Sequence, residues 1–237
     1  MKNIFGLIPA RGGSKGLPNK NLAELCGFPM INYTISAAIK SKFVENIFVS
    51  SNDPKILQCA KNQGVSILKR PNKFSTDNSS PIHLVKHFSN YLKKKNLHGD
   101  AIICYLQPSS PLRTEFHIDE AFELLKKTDQ TTLISVSETI NIPYKMFTIQ
   151  NGKLRSLFDE KMSNMRRQDL PKTYIVNGAI YIFPLVLFEK HNAFPSNGSL
   201  PYFMKKEESI DVDNENDLKA VKNLMLRNKK KYDLSRV

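Results

Sequence analysis

Apolar and polar positions along the chain follow two alternating rhythms. Short runs rich in β-branched and aromatic residues at 4–8, 47–50, 65–68, 101–106, 132–136 and 179–183 predict strands. Between them, apolar residues recur three and four apart over 31–39, 55–61, 82–92 and 118–126, the period of an amphipathic helix. Strand and helix in alternation imply an α/β fold, a mostly parallel sheet flanked by helices. Ligands of such sheets gather beyond the carboxyl ends of the strands. From 141 to 173 the rhythm fails: the segment is polar and weakly periodic, yet carries Met146, Phe147, Phe158, Met162 and Met165. A gap of this length is unusual inside a compact domain. It is expected to be an excursion, a hairpin and a helix, that packs on another copy of a chain otherwise read as one domain, 1–237.

The first strand runs straight into Ile-Pro-Ala-Arg-Gly-Gly-Ser-Lys-Gly-Leu-Pro-Asn-Lys-Asn at 8–21. Gly12, Gly13 and Gly16 let backbone N–H groups approach a ligand closely, while Arg11, Lys15 and Lys20 supply positive charge. Cations spread over ten positions suit a triphosphate better than a single phosphate. The run matches neither the Walker pattern nor the dinucleotide fingerprint.

Near the other end, Ser209-Ile210-Asp211-Val212-Asp213 precedes a helical pattern that continues to about residue 226. In extended chain, residues two apart share a face, so Asp211 and Asp213 project together while Ile210 and Val212 turn inward. Two carboxylates on one face suit Mg²⁺, which uses one or two carboxylates together with substrate phosphates. Asp213 or Asn214 could instead cap the helix, with Asn216 or Asp217 near N3. Capping uses one acid and leaves Asp211 unexplained, so a metal site is expected.

Three further segments carry chemistry. Gln107, in the stiff turn Leu-Gln-Pro-Ser-Ser-Pro-Leu-Arg at 106–113, can donate and accept at once, as a hydroxyl-rich ligand requires. Arg70 with Asp77, Asn78, Ser79 and Ser80 could supply the donors and acceptors that read cytosine, although Asp77 also reads as a cap for the helix beginning near Ile82. Lys145 and the Arg166–Arg167 pair lie in the polar excursion, where an arginine could grip a carboxylate in bidentate fashion. His83 and His87 are spaced like metal ligands but have no acidic partner in the pattern, so they read as one polar stripe of a helix.

Composition narrows the picture without redirecting it. The 237 residues are 41% hydrophobic and 24% charged, ordinary for a globular protein. Apolar runs fall well short of the roughly 20 residues of a membrane helix. Pro9 and Arg11 end the N-terminal apolar run with no small-residue cleavage site after it, so a cytoplasmic location is expected. Cys26, Cys59 and Cys104 are scattered and suggest neither a disulfide framework nor zinc. The net charge of +13 calls for an anionic partner. Lysines are dispersed and their densest runs, 93–95 and 229–231, fall at helix ends, so solvated surface accounts for most of the excess. A basic nucleic-acid-binding protein is the rival reading. It gives no reason for the glycine loop or the paired acids, so nucleic acid is not an expected partner.

Taken in order, IPARGGSKGLPNKN, VSSND (49–53), LQPSSPLR, NGAIY (177–181) and SIDVDNENDL (209–218) resemble the acylneuraminate cytidylyltransferases, the CMP-sialic acid synthetases, which include enzymes for legionaminic acid. CMP-Kdo synthetases are more distantly similar and lack the Gly-Gly-Ser-Lys-Gly run. The resemblance implies an α/β sheet with a small dimerisation excursion, and an enzyme that joins CTP to an acidic nine-carbon sugar with release of pyrophosphate. By motif it implies that Arg11, Gly12, Gly13, Ser14 and Lys20 hold the triphosphate, and that Arg70, Asp77 and Ser79 surround cytosine. Gln107 and Tyr181 would line the sugar pocket, Lys145 and Arg167 would meet the sugar carboxylate, and Asp211 and Asp213 would hold Mg²⁺. Arg11, Lys20, Asp211 and Asp213 would carry the catalysis, with Arg167 arriving from the second subunit of a homodimer. Asn52 departs from the family pattern and receives no role.

Overall fold

The computed structural model describes residues 3–76, 79–139 and 141–234. The chain opens with strand β1 (Ile4–Pro9), a short hairpin of β2 (Glu24–Leu25) and β3 (Phe28–Pro29), and helix α1 (Met30–Lys40). Then come β4 (Asn46–Ser51), α2 (Pro54–Asn62), β5 (Ser66–Lys69), α3 (Pro81–Lys94), β6 (Ile102–Tyr105), α4 (Glu115–Lys126) and β7 (Leu133–Glu138). A second hairpin, β8 (Phe147–Gln150) and β9 (Lys153–Ser156), precedes α5 (Glu160–Asn164). The chain closes with β10 (Tyr174–Pro184), α6 (Leu185–His191), β11 (Leu200–Phe203) and α7 (Glu215–Arg227).

Seven strands form the central sheet in the order β11-β7-β10-β6-β1-β4-β5. Strand β1 lies parallel to β4 and β6, β4 to β5, and β11 to β7, while β10 runs antiparallel between β6 and β7. Both faces are covered, which is why these strands read as nearly continuous apolar runs. On one face Ile8, Val49, Cys104 and Ile180 pack under α1, α2 and α4 through Ile31, Ile35, Ile56, Ala60, Ile118 and Phe122. On the other, Phe5, Leu7, Phe48, Ile103 and Phe183 meet Leu84, Val85, Phe88 and Leu92 of α3 and Leu185 and Phe188 of α6. Successive residues of β1 thus serve opposite cores, as the pleat dictates.

All six strands and four helices read from the periodicity are present. Three elements were not read. The β2–β3 hairpin turns on Cys26 and Gly27, both at positive φ, and each of its strands has only two residues. Helix α6 and the edge strand β11 are too short to show a period. Segment 141–173 holds the β8–β9 hairpin and α5, with Asp159 capping that helix by accepting from Lys161 N at 2.9 Å.

A third apolar cluster matters most for function. It joins Leu17, Leu25, Met30, Tyr33 and Leu112 to Val212 and to Val221 and Met225 of α7. This cluster carries the C-terminal helix back onto the glycine loop, so residues some two hundred positions apart become neighbours.

Phe88 is fully buried, edge-on to Phe5 with ring centroids 5.9 Å apart and 5.1 Å from Phe48. Phe88→Ala should lower the unfolding free energy by about 3–5 kcal/mol, read from urea denaturation. A loss below about 1 kcal/mol would mean that this face collapses around the cavity.

Candidate active site

The loops leaving β1, β5 and β6 lie beyond the carboxyl ends of these strands and enclose a cleft of about 310 Å³, the low end for a small-molecule site. Arg11, Ser14, Lys20, Arg70, Ser79, Gln107, Asp211 and Asp213 all face it. Gly12 and Gly13 connect Arg11 to Ser14 without lining it, and Lys15 is exposed elsewhere on the loop. Asp77 lies outside the described residues. The helix cap for which it was a candidate is supplied by Ser80, whose hydroxyl accepts from Ile82 N at 3.2 Å.

The glycine loop is shaped by its own polar side chains. Ser14 Oγ donates to Leu17 O at 2.5 Å and accepts from Lys20 N at 3.0 Å. Asn21 Nδ2 donates to Arg11 O at 2.9 Å, and Gly12 N donates to Asn52 Oδ1 at 3.0 Å. Asn52, which received no role from sequence, therefore tethers the loop to the end of β4. Gly16 is required by close approach, since a Cβ there would collide with the carbonyl oxygen of Asp213.

The acidic tail docks as its alternation demands. Val212 is fully buried in the third cluster, and its N–H donates to Ser109 O at 2.8 Å. Asp211 and Asp213 consequently point outward into the cleft. Helix capping does not compete for them. Asn214 is the N-cap, accepting from Asn216 N and Asp217 N, and Asp217 closes the capping box by accepting from Asn214 N at 3.1 Å. Just upstream, Glu208 meets His117 of α4 at 3.3 Å and also pairs with Lys231.

Lys20 Nζ reaches Asp213 Oδ1 at 2.9 Å, so head and tail of the chain touch within the cleft. The side chain of Asp213 is 71% exposed, and an exposed pair contributes only about 0–1 kcal/mol. Full burial of Val212 contributes about 1.5–3 kcal/mol and outweighs it. The hydrophobic contact fixes the tail, and the ion pair reports its position.

Arg70 is buried against the end of β4, with Nη2 donating to Ser50 O at 2.7 Å and Nε to Ser50 Oγ at 3.2 Å. Burial lowers its pKa to about 10, with the nearby charge of Arg11 adding to the effect. The cleft also takes Phe74, Pro81, Leu84 and Tyr105, which sequence did not single out. Tyr181 stands edge-on to Tyr105 at 6.0 Å, and its hydroxyl pKa is raised first by burial and then by the charge of Asp211. Gly178, at φ +73° in the irregular stretch of β10, lies against Gln107, where a Cβ would overlap Oε1.

Lys145 and Arg167 do not line the cleft of their own chain. Lys145 Nζ donates to Ser163 O at 2.8 Å, and Arg167 is exposed in a short helical turn after α5. Arg166 is engaged with Asp169 through two hydrogen bonds of 2.7 and 3.1 Å, which leaves Arg167 as the better candidate of the two. His83 and His87 flank Phe74, at 5.6 and 6.1 Å between ring centroids, and no cluster of three or more metal-ligating side chains occurs among the described residues.

Two carboxylates, without a third ligand of their own, fit an ion that completes its shell with phosphate and water, as Mg²⁺ does. Burial in the cleft raises the Asp211 pKa, with Asp213 and Asp217 adding to it against the opposing pull of the Ser109 hydroxyl and Lys20. A divalent cation would relieve that crowding of negative charge.

Glycine loop, clustered cations and paired acids thus meet beyond the carboxyl ends of the parallel strands of an α/β protein, where such folds take their ligands. Comparison with known proteins agrees and is more specific: the sequence profile described as "Cytidylyltransferase" matches residues 5–230, and the chain belongs to that family. The N-acylneuraminate cytidylyltransferase of Streptococcus agalactiae serotype III is 35% identical over 214 residues, 89% of this chain and 50% of that protein. The enzyme of the same name from Escherichia coli O18:K1:H7 is 32% identical over 98% of this chain and 54% of its own length. The chain thus spans about half the length of these curated relatives. The pseudaminic acid cytidylyltransferase of Campylobacter jejuni is 28% identical over 94% of this chain and 95% of that one. In fold, the chain resembles CMP:2-keto-3-deoxy-manno-octonic acid synthetase complexed with CTP, with a TM-score of 0.69 at 17% identity over 95% of this chain and 99% of the other.

Because its folded pKa is raised, Asp211 favours the folded state below its ordinary carboxyl pKa and loses that contribution as pH rises through the shifted value. Asp211→Asn should therefore raise the melting temperature of the metal-free protein at neutral pH, with the gain vanishing near pH 3. A lower melting temperature at neutral pH would show that the carboxylate is a net structural contact.

Proposed function

We propose that this protein is a cytidylyltransferase that couples CTP to an acidic nine-carbon sugar, giving the CMP-sugar and pyrophosphate. Membership of the family supports the reaction class, and the convergence of Lys20 with Asp213 in one cleft carries the assignment of the site. The work is placed in the cytoplasm, where CTP is available.

Arg11 and Lys20 hold the triphosphate through charge-assisted hydrogen bonds, Ser14 stands beside them in the cleft, and the Gly12 N–H ties the loop to Asn52. Arg70 and the backbone near Ser79 read cytosine, with Asp77 taking part in the same recognition as the resemblance implies. Gln107 and Tyr181 form the sugar side. Asp211 and Asp213 would hold Mg²⁺, which supplies neutralisation of phosphate charge when bound. The anomeric hydroxyl attacks the α-phosphorus in line. An O–P bond forms, the bond from that phosphorus to the bridging oxygen breaks, and pyrophosphate leaves. No histidine is among the described residues lining the cleft, so the hydroxyl proton is assigned to solvent. Catalysis then rests on positioning and charge neutralisation.

The sugar carboxylate is assigned to Lys145 and to Arg167 of the partner subunit in a homodimer. The excursion exposes Ile149 by 76% and Leu154 by 71%, with Leu157 and Phe158 also exposed, and Ile175 at the start of β10 is exposed as well. Apolar surface of this kind marks a contact site. Sedimentation should give a dimer, and a monomer at working concentration would remove the Arg167 assignment.

Sialic or legionaminic acid is the preferred substrate class, on the form of the glycine loop. The near full-length match to the Campylobacter jejuni protein gives pseudaminic acid as the second reading. Pyrophosphate release with CTP, Mg²⁺ and each of the three acids in turn tests the proposal. Release with one acid and not with ATP, GTP or UTP is expected, and none with any acid would overturn it. Lys20→Ala should weaken CTP binding by about 10- to 150-fold, the loss of one charge-assisted contact of roughly 1.5–3 kcal/mol. Unchanged affinity by calorimetry would detach the loop from the triphosphate.

A further inference from the structure

Among the described residues Arg113 is the largest fully buried side chain, 1% exposed, and it has no carboxylate partner. Its Nε donates to Ala179 O at 3.1 Å, and its Nη2 to Thr34 Oγ1 at 2.7 Å and to Gln107 O at 3.3 Å. Nη1 is buried with no hydrogen-bond partner. Burial without a counter-ion lowers its pKa to about 10. An arrangement of this kind is a poor stabilising device, because desolvating a charge costs more than neutral acceptors return.

The three acceptors indicate what the charge does. Gln107 opens the loop after β6, Ala179 follows the glycine in the irregular part of β10, and Thr34 lies on α1. The first two flank one contact, the packing of the Gln107 carboxamide on Gly178. A single guanidinium therefore fixes the backbone on both sides of that contact, with Ser110 Oγ donating to Asn177 O at 3.4 Å as a further stitch. A planar fork can satisfy acceptors on three elements at once, and an ammonium cannot reproduce that geometry.

We infer that Arg113 is a positioning residue for the acid-sugar side of the cleft, acting through Gln107 rather than touching substrate. The inference rests on the proposed cytidylyltransferase reading and deepens it. Nucleotide binding depends on the loops after β1 and β5, which Arg113 does not touch, so its loss falls on one substrate only.

The test separates the two substrates. Arg113→Lys should raise KM for the acidic sugar at least about tenfold, since small misplacements in such sites are costly. The calorimetric Kd for CTP should stay within about twofold. Placed in a Gln107→Ala background, the same substitution should add no further rise. Sugar KM unchanged in Arg113→Lys, or an equal rise with Gln107 absent, would overturn the inference. If Arg113→Lys does not fold, Thr34→Val removes one acceptor of the fork while keeping the volume of the core. That variant should raise sugar KM severalfold with CTP affinity intact, and an unchanged KM would again overturn the idea. Lack of turnover in the unaltered protein with every acid would instead overturn the function proposal beneath it.

Discussion

Val212 carries the constraint on which the site depends. Its side chain is buried among Leu17, Leu112, Val221 and Met225, contributed by the glycine loop, the loop after β6 and the last helix. Because neighbours in extended chain face opposite ways, burying this one valine turns Asp211 and Asp213 toward the cleft. Acids and loop cations are brought together by an apolar contact, with charge attraction secondary. The Lys20–Asp213 pair is then a consequence of that docking and not its cause.

The same economy appears around the tail. Helix α7 is capped by Asn214 and Asp217, so the end of the helix draws no carboxylate away from the cleft. Ser109 receives the Val212 N–H on its carbonyl and offers its hydroxyl to Asp211. The loop after β6 therefore touches the acidic tail through Ser109 and the β10 glycine through Gln107, five residues after β6 serving two sides of one cavity.

Much of this was legible in the chain. The glycine loop, the alternating acids and the strand periodicity each have a local physical signature, and each lies where that signature indicates. Asn52, Tyr105 and Phe74 were not legible, because nothing in their own neighbourhoods marks them. Asn52 matters only because the first and fourth strands are adjacent, which puts its side chain beside the Gly12 N–H. Arg113 is the sharper case: it ends the 106–113 turn with no signal of its own, and only the packed sheet reveals it as interior. Strand β11 and helix α6 escaped because four and seven residues are too few to show a period. Segment 141–173 shows no period because most of its described apolar residues face outward, yet it holds the hairpin and helix expected of it.

The close fit of Gly16 against the Asp213 carbonyl has a consequence for biosynthesis. Residues of the cation loop leave the ribosome first, and the acids that complete the cleft follow almost two hundred residues later. A partly made chain thus displays a cationic loop with no opposing acids, and the cleft is complete only when α7 has docked. A chain cut short before residue 209 would keep the loop cations and lack both acids.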